Sequence, residues 1–344
     1  MIMSSMHKHQ FFANKSILVT GCNGFLGKAL MANLIKIFDS LSASSLSWSH
    51  SIFAIDNGIT SALAHDNYPS YVTYQQGNAI TFDYSCCKSV DIIFHLAGLA
   101  SPAQYKKYPL ETIDVAVNLT RILLRHAVDW SSKFIFFSSS EIYGNPDAKY
   151  VPTPETYNGY VSCLGPRACY DESKRMGETL CYVFNNYYNI DTAIIRPFNI
   201  YGPGMGKHDY RMVPNLMRAA IEGNKISLYG KGTQTRTFCY LDDAITGILL
   251  AAEDGHPGDP YNIGTDTPEI SMIQLIDHFN NATGSNIEYE IIDYPAHYPA
   301  DEPMRRCPDI SKAKSHLGYS PSVELDQGLR LTYDWACKAY LDKQ

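Results

Sequence analysis

Residues 17–27 read ILVTGCNGFLG, and this stretch decides the fold that we predict for the chain. A short apolar run leads into Gly21, Gly24 and Gly27, and a stretch of helical period follows. Glycine permits a tight turn and lets a pyrophosphate approach the backbone N–H groups at a helix N-terminus. The stretch therefore predicts a strand, a dinucleotide-binding loop and a helix. The alternative is that the glycines serve only as a turn.

The same alternation of short β-branched runs and amphipathic segments continues to residue 197, which is typical of βαβ units around a parallel sheet. We predict strands at residues 16–20, 52–56, 71–75, 91–96, 134–138 and 192–196. We predict helices at residues 25–38, 111–129, 169–188 and 212–222, and another after residue 242. The serine-rich residues 39–50 predict a loop.

Asp56 ends the second predicted strand, where a carboxylate can accept both adenosine ribose hydroxyls and repel a 2′-phosphate. It lies farther from the glycines than the customary spacing of about 20 residues, and the serine-rich insertion accounts for the excess. The small residues within 94–98, which read FHLAG, would line the adenosine and phosphate path. These features favour NAD over NADP, although Asp56 as a simple turn residue is the alternative.

The predicted fold class is α/β, a doubly wound parallel sheet of the Rossmann type with a smaller mixed α/β C-terminal lobe that binds substrate. Residues 1–15 are predicted to be a loose leader, and residues 16–197 an NAD-binding domain. Residues 198–344 are predicted to form mainly the substrate lobe, with some strands and helices exchanged between the two lobes.

Composition narrows the function classes. Of the 344 residues 45% are hydrophobic and 18% are charged, which is typical of a globular protein. The net charge of -7, without clustered Lys and Arg, argues against a nucleic-acid partner. The sequence contains no run of 18 apolar residues, which argues against a membrane-spanning segment. Nine cysteines without a Cys-x-x-Cys pair predict free thiols, no metal site and a cytoplasmic location.

Tyr170 and Lys174 lie four residues apart on a predicted helix, so they share one face. An ammonium beside a phenol is expected to lower the phenol pKa from about 10 and make it a usable base. A surface pair is the alternative. Residues 134–144, FIFFSSSEIYG, end a buried strand in Ser139, Ser140 and Glu141. Because such strand ends face the ligand crevice, these side chains are candidate donors, acids or bases.

Together the glycine motif, Ser139, Tyr170 and Lys174 resemble the extended short-chain dehydrogenases/reductases that modify nucleotide sugars, the NAD-dependent epimerase/dehydratase family. Within that family the chain is most similar to the UDP-glucuronate decarboxylases, also called UDP-xylose synthases. The resembling stretches are residues 100–102 with Tyr105, 138–144, 164–175, 196–203, 229–236 and 306–310. The run GPRACYDE at residues 165–172 is the most specific of them.

The resemblance implies three sets of site residues. The catalytic set is Ser139, Ser140, Glu141, Tyr170, Lys174 and Arg306. The cofactor set is Gly21, Asn23, Gly24, Phe25, Leu26, Gly27, Asp56, Asn57, Asn78, Leu96, Ala97, Gly98, Ser138, Tyr170, Lys174, Arg196 and Phe198. The substrate set is Ser101, Pro102, Tyr105, Glu141, Arg167, Asn199, Val213, Asn215, Tyr229, Arg236, Tyr240 and Arg306.

The implied activity is decarboxylation of UDP-glucuronate to UDP-xylose through a 4-keto sugar, with NAD recycled in each cycle. The related 4,6-dehydratases carry Asp-Glu where this chain has Ser140 and Glu141, and water elimination uses that Asp as its acid. Simple 4-epimerases usually have no carboxylate at the position of Glu141. A 4,6-dehydratase, a 4-epimerase and a non-catalytic NAD-binding sensor are the alternatives. By analogy, the helices at residues 111–129 and 169–188 pair across a homodimer.

Overall fold

The computed structural model describes residues 9–43, 49–59, 68–294 and 303–341. The strands within them are β1 (Ser16–Thr20), β2 (Ser51–Asp56), β3 (Val72–Gln76), β4 (Ile92–His95), β5 (Lys133–Phe137), β6 (Thr192–Pro197), β7 (Ile200–Tyr201), β8 (Ile226–Tyr229), β9 (Thr235–Arg236), β10 (Cys239–Tyr240), β11 (Pro260–Ile263), β12 (Ile270–Ser271), β13 (Tyr289–Ile292) and β14 (Arg305–Arg306).

The α-helices within the same residues are α1 (Phe25–Ala43), α2 (Pro102–Lys107), α3 (Pro109–Ile113), α4 (Thr120–Trp130), α5 (Ala168–Tyr188), α6 (Met212–Glu222), α7 (Leu241–Asp254), α8 (Met272–Thr283), α9 (Ser311–Leu317) and α10 (Leu325–Ala339). A π-helical turn at Asp114–Leu119 joins α3 to α4. Short 3₁₀ turns lie at Gln10–Phe12, Tyr84–Cys86, Ser140–Tyr143 and Ala148–Tyr150.

Seven parallel strands form the central sheet, in the order β11-β6-β5-β4-β1-β2-β3. β1 lies inside the sheet, where Ile17 pairs with Ile52 of β2 and with Ile92 of β4. Parallel neighbours need crossover connections, and the crossover helices cover both faces of the sheet. The predicted Rossmann-type fold is confirmed.

Side chains of each central strand alternate between two cores. On β1, Ile17 and Val19 point to the core built with α1, α7 and α9, whereas Leu18 points to the core built with α4 and α5. Both cores exclude solvent, so burial on two sides explains why the strands read as continuous apolar runs. A third core joins α6, α8 and α10 in the C-terminal lobe, around Leu216 and Phe279.

The six predicted strands are present, and each end differs from the prediction by no more than one residue. Two helix predictions need correction. α1 runs to Ala43 instead of stopping at Phe38, because Leu41 continues the buried stripe of Leu34 and Phe38 into the core. The loop predicted at residues 39–50 therefore begins as helix, and its residues 44–48 lie outside the described residues.

The single helix predicted at residues 111–129 is three consecutive segments, α3, the π-helical turn and α4. The helix predicted after residue 242 begins at Leu241. The first turn of 3₁₀ structure buries Phe12 in the sheet core, so the predicted leader 1–15 includes packed residues; its residues 1–8 lie outside the described residues. β11 joins the central sheet from beyond residue 198, and the domain division stays a prediction.

No described helix has the length and apolar character needed to cross a membrane. All nine cysteines lie in the described residues and carry free thiols, as predicted.

Candidate active site

The glycine turn between β1 and α1 has no room for a Cβ atom at Gly21 or Gly27. Gly21 has φ +77°, and a Cβ there would lie 2.5 Å from the backbone N of Ala97. A Cβ at Gly27 would overlap the carbonyl oxygen of Gly21, whereas one at Gly24 would lie 3.3 Å from that oxygen. The turn therefore leaves backbone N–H groups open at the start of α1, which suits a pyrophosphate.

Asp56 is linked directly to this turn. Its Oδ2 accepts a hydrogen bond from Asn23 N (2.9 Å), and its Oδ1 accepts one from Gly58 N (2.8 Å). Each carboxylate oxygen has capacity for a further bond. Asn23 Nδ2 donates to the Tyr74 hydroxyl (2.9 Å), and Asn23 Oδ1 is buried without a partner among the described residues. The orphaned oxygen and the glycine turn fit a dinucleotide.

The segment after β4 connects the glycine turn to α5. Leu96 N donates to Thr20 O (3.0 Å), and a Cβ on Gly98 would lie 3.4 Å from Lys174 Nζ. Asn57 and Asn78 are exposed on loops at the other end of the predicted cofactor site. Both accept a local backbone N–H through their side-chain oxygen.

Ser138 and Arg196, two predicted cofactor residues, meet at Glu178. Arg196 forms a two-bond ion pair with this carboxylate (2.9 and 2.6 Å), and the Ser138 hydroxyl donates to the same group (2.5 Å). Arg196 Nη1 also donates to the Tyr143 hydroxyl (2.7 Å). These bonds make Arg196 part of an internal network. Phe198 packs against Tyr143 beside this network, whereas Phe25 and Leu26 pack against the sheet core at the start of α1.

Tyr170 and Lys174 lie in the first two turns of α5, and both are at least nine-tenths buried. The Tyr170 ring stacks on Tyr105, with ring centroids 5.3 Å apart. The Tyr170 hydroxyl shares a hydrogen bond with Ser139, which follows β5. Lys174 Nζ donates to Phe137 O (2.6 Å). The structure therefore brings the predicted base, its lysine and the serine together at the carboxyl end of β5.

The pKa of Tyr170 differs in direction from the prediction. Burial raises the pKa of Tyr170 to about 12, and the hydrogen bond with Ser139 only partly opposes this. Burial also lowers the pKa of Lys174 to about 8, against the opposing charge of Glu178. The expectation that Lys174 lowers the phenol pKa is wrong for the protein alone, because burial outweighs it and the ammonium is directed to a carbonyl.

Glu141 is the centre of a buried ion cluster. Arg306 Nη2 donates to Glu141 Oε2 (2.8 Å), and Arg167 Nη2 donates to the same oxygen. Burial alone would raise the pKa of Glu141, but Arg306, then Arg167 and Arg236, reverse this and lower it. Glu141 is therefore ionised, which suits an acceptor and excludes a proton donor.

Asp171 is a residue that the sequence analysis did not assign. It is 3% exposed, its Oδ2 lies 3.3 Å from Arg167 Nε, and its Oδ1 is buried without a partner among the described residues. Burial and then the charge of Glu141 raise its pKa to about 7. The i, i+4 spacing of Arg167 and Asp171 was the available signal.

The C-terminal lobe supplies the remaining arginines. In the parallel pair of β9 and β14, Arg306 lies opposite Arg236. Arg236 Nη2 donates to Pro303 O (2.6 Å) and Nη1 to Met304 O (3.2 Å), which fixes the guanidinium beside the chain that carries Arg306. Three predicted substrate residues, Arg167, Arg236 and Arg306, therefore converge electrostatically on Glu141.

The other predicted substrate residues are spread over both lobes. Ser101 and Pro102 begin α2, and Val213 and Tyr240 are buried in the C-terminal core. The side chain of Asn199 donates to Thr237 O (2.9 Å), and that of Asn215 donates to Tyr210 O (2.8 Å). The Tyr229 ring is 38% exposed and stacks with Tyr294.

One group of candidate metal ligands lies away from this site. His256, Asp259 and His316 place three ligand atoms within 4.8 Å of one another. Lys312 Nζ already lies 3.1 Å from Asp259 Oδ2. Two of these residues precede β11, at the amino edge of the sheet, whereas Ser139 and Glu141 follow the carboxyl end of β5. The group takes no part in the chemistry described here.

Comparison with known proteins agrees with this geometry. A model of the NAD dependent epimerase/dehydratase family matches residues 17–264. UDP-glucuronic acid decarboxylase 6 of Arabidopsis thaliana is 34% identical over 331 residues, covering 95% of this chain and 91% of the relative. UDP-glucuronic acid decarboxylase 1 of Xenopus tropicalis is 34% identical over 320 residues, covering 92% of this chain and 71% of the relative.

A solved UDP-glucuronic acid 4-epimerase from Bacillus cereus, in complex with UDP-glucuronic acid and NAD, is also similar. It superposes with a TM-score of 0.78 at 26% identity, covering 94% of this chain and 100% of that chain. The predicted family, the enzyme class and the NAD dependence are confirmed. This chain belongs to the NAD dependent epimerase/dehydratase family of nucleotide-sugar-modifying enzymes.

Proposed function

We propose that this enzyme decarboxylates UDP-glucuronate to UDP-xylose through a 4-keto sugar. The observation that carries the proposal is the largely buried side chain of Arg306, which is 12% exposed and bonds Glu141 through Nη2. Its Nε is buried without a partner among the described residues, so one N–H is available to a sugar carboxylate. The relatives named UDP-glucuronic acid decarboxylases support the same substrate.

Tyr170 acts as the base that takes the proton of the sugar 4-hydroxyl, and its bond with Ser139 favours the phenolate. The glycine turn and Asp56 would hold NAD, which would supply a reversible hydride acceptor for C4 of the sugar. The oxidised sugar is a β-keto acid, which loses carbon dioxide and leaves its electron pair as an enolate. Ser139 and Tyr170 would stabilise the enolate oxygen by hydrogen bonding.

Protonation of C5 precedes the reduction of the 4-keto group, which completes the proposed reaction. The two candidate proton donors for C5 are Ser140 and Glu141. Because arginines keep Glu141 ionised, Ser140 is the one of the two that carries a proton, and it would regain from solvent the proton that it passes to C5. Glu141 then orients the arginines instead of donating a proton.

A 4-epimerase is the second candidate, because the Bacillus cereus structure is a UDP-glucuronic acid 4-epimerase. It would use the same base and the same keto sugar, and it would return the hydride to the opposite face. The charged cluster at Glu141 favours decarboxylation. A 4,6-dehydratase is disfavoured by Ser140, which cannot replace the acid that protonates a departing hydroxyl. The buried, paired Tyr170 and Lys174 argue against a non-catalytic sensor.

Product analysis tests the proposal. Purified enzyme incubated with UDP-glucuronate and NAD is expected to release carbon dioxide and UDP-xylose, followed by NMR and mass spectrometry. UDP-galacturonate as the main product would assign the enzyme to the epimerases. A 4-keto-6-deoxy sugar made from UDP-glucose would assign it to the dehydratases.

Replacing Arg306 by Met removes the proposed carboxylate partner. We expect kcat/KM for UDP-glucuronate to fall about 10–100-fold, the value of one or two charged hydrogen bonds. Affinity for UDP alone should change little. Arg305→Met is the matched control, since Arg305 pairs with Glu269 (2.6 Å) instead of Glu141. Equal losses in the two variants would show a general disturbance of β14 and contradict the assignment.

We also propose that the enzyme is a cytoplasmic homodimer. Apolar side chains stay exposed on the two helical segments expected at the dimer interface, notably Ile113 (38%) on α3 and Tyr182 (58%) on α5. Large exposed apolar side chains on one face favour association. The free thiols suit a reducing compartment. Sedimentation equilibrium should give twice the chain mass.

A further inference from the structure

Asp171 has no part in the mechanism above, yet its carboxylate lies next to the catalytic tyrosine. It belongs to the first turn of α5 and is 3% exposed. One oxygen faces Arg167 Nε at 3.3 Å, and the other has no partner among the described residues. A buried carboxylate with one unsatisfied oxygen is costly when it is charged.

Arg167 lies between two carboxyl groups. Its Nε faces Asp171, while its Nη2 donates to Glu141, and Arg306 donates to the same Glu141 oxygen at 2.8 Å. Glu141 is thus held by two guanidinium groups, and Asp171 by one side of one of them. If a proton enters this cluster, Asp171 is the carboxylate that is protonated more readily, because only one guanidinium group stabilises its negative charge.

A sugar carboxylate that binds Arg306 brings another negative charge into this buried cluster. Nearby like charges raise each other's pKa, most strongly where water is excluded. Burial and the charge of Glu141 already raise the pKa of Asp171 to about 7. A further carboxylate shifts it in the same direction, so a proton is taken from solvent near neutral pH.

We propose that Asp171 takes up a proton when a nucleotide sugar bearing a carboxylate binds, and that it balances the charge of the Glu141–Arg167–Arg306 cluster. The inference rests on the proposed function in that UDP-glucuronate is the ligand. Asp171 is a positioning residue here, because it acts through Arg167. The titratable and charged groups that face it are Glu141, Arg167, Cys169, Tyr170 and Arg306.

The proton balance of the reaction is consistent with this role. The carboxylate leaves as neutral carbon dioxide, its electron pair stays on the sugar, and one solvent proton ends on C5. Asp171 holds its own proton while the carboxylate is present and releases it to solvent afterwards. Proton uptake therefore accompanies binding and is separate from the proton gained by C5.

Calorimetry on the NAD-loaded Tyr170→Phe variant tests the proposal without turnover. UDP-glucuronate is titrated at about pH 8 in buffers of different ionisation enthalpy. We expect an uptake of about 0.5–1 proton, because Asp171 is mostly ionised before binding and mostly protonated after it. UDP-xylose, which lacks the carboxylate, should give an uptake near zero. At about pH 5.5 UDP-glucuronate should also give little uptake.

Asp171→Asn in the same background should remove the uptake, since the amide keeps the shape but cannot titrate. Glu172→Gln is the control, because Glu172 is the partly exposed neighbour that pairs with Arg175 (3.7 Å). If Asp171→Asn does not fold, the comparison of the two pH values in the Tyr170→Phe variant still tests the proposal.

Uptake that persists in Asp171→Asn, that is equal for UDP-xylose, or that does not change between the two pH values would overturn the proposal. Asp171-dependent uptake in an enzyme that releases no carbon dioxide would overturn only the proposed function. Decarboxylation without uptake would overturn only the role of Asp171, and failure of UDP-glucuronate to bind would overturn both.

Discussion

Replacing Tyr170 by Phe is expected to lower kcat about 10²–10⁴-fold, the usual contribution of a positioned acid or base. The ring stack on Tyr105 is kept in this variant, and the change removes only a hydroxyl that bonds Ser139. Binding of NAD and of UDP-glucuronate should therefore stay close to that of the parent enzyme. Steady-state kinetics and calorimetric titrations measure the two effects separately.

Tyr187→Phe is a matched control, because Tyr187 lies on the same helix and is 76% exposed. It should leave kcat unchanged. Substantial activity in Tyr170→Phe with intact folding would show that another group takes the 4-hydroxyl proton, and the assignment of the base would be wrong.

Gly27→Ala is expected to have the second large effect. The added Cβ would overlap Gly21 O and lie 2.9 Å from Cys22 Cα, both of them backbone atoms that cannot turn aside. The turn must shift, which should cost about 1–3 kcal/mol of unfolding free energy, as overpacking does. Because the shift moves the N–H groups that face the pyrophosphate, NAD affinity should fall about tenfold or more.

Urea denaturation and NAD titration measure these changes. Gly77→Ala is the control, since a Cβ at Gly77 has no atom within 4 Å. If Gly27→Ala bound NAD as tightly as Gly77→Ala, the close contact at the turn would not be required for the cofactor site.

The central strands could be predicted because burial on both faces makes them continuous apolar runs. β11 could not, since Pro260 and Asn262 within a short segment are typical of a turn. Its position depends on contacts far along the chain: Asn262 bonds the Tyr143 hydroxyl (2.7 Å) and Thr153 O (2.9 Å). The extension of α1 was missed because its serines suggested a loop while Leu41 is held by the core.

The members of the site were predicted from motifs, but their charge states were not. Arg306 lies 165 residues from Glu141 in sequence. Arg306 and Arg167 can donate to the same Glu141 oxygen only because the fold brings β14 next to the start of α5. Burial decides the protonation of Tyr170 and Asp171, and burial of one side chain is a property of the whole fold. The resemblance predicts which residues act, and the three-dimensional packing determines how burial and neighbouring charges shift the pKa of each.

Isotope labelling tests the proposed decarboxylation most directly. UDP-glucuronate that carries deuterium at C4 is incubated with the NAD-loaded enzyme, and the products are analysed. We expect UDP-xylose with the deuterium retained at C4, one carbon dioxide per sugar and no build-up of reduced cofactor. UDP-galacturonate with its carboxylate intact, or UDP-xylose that has lost the label to solvent, would contradict the proposed function.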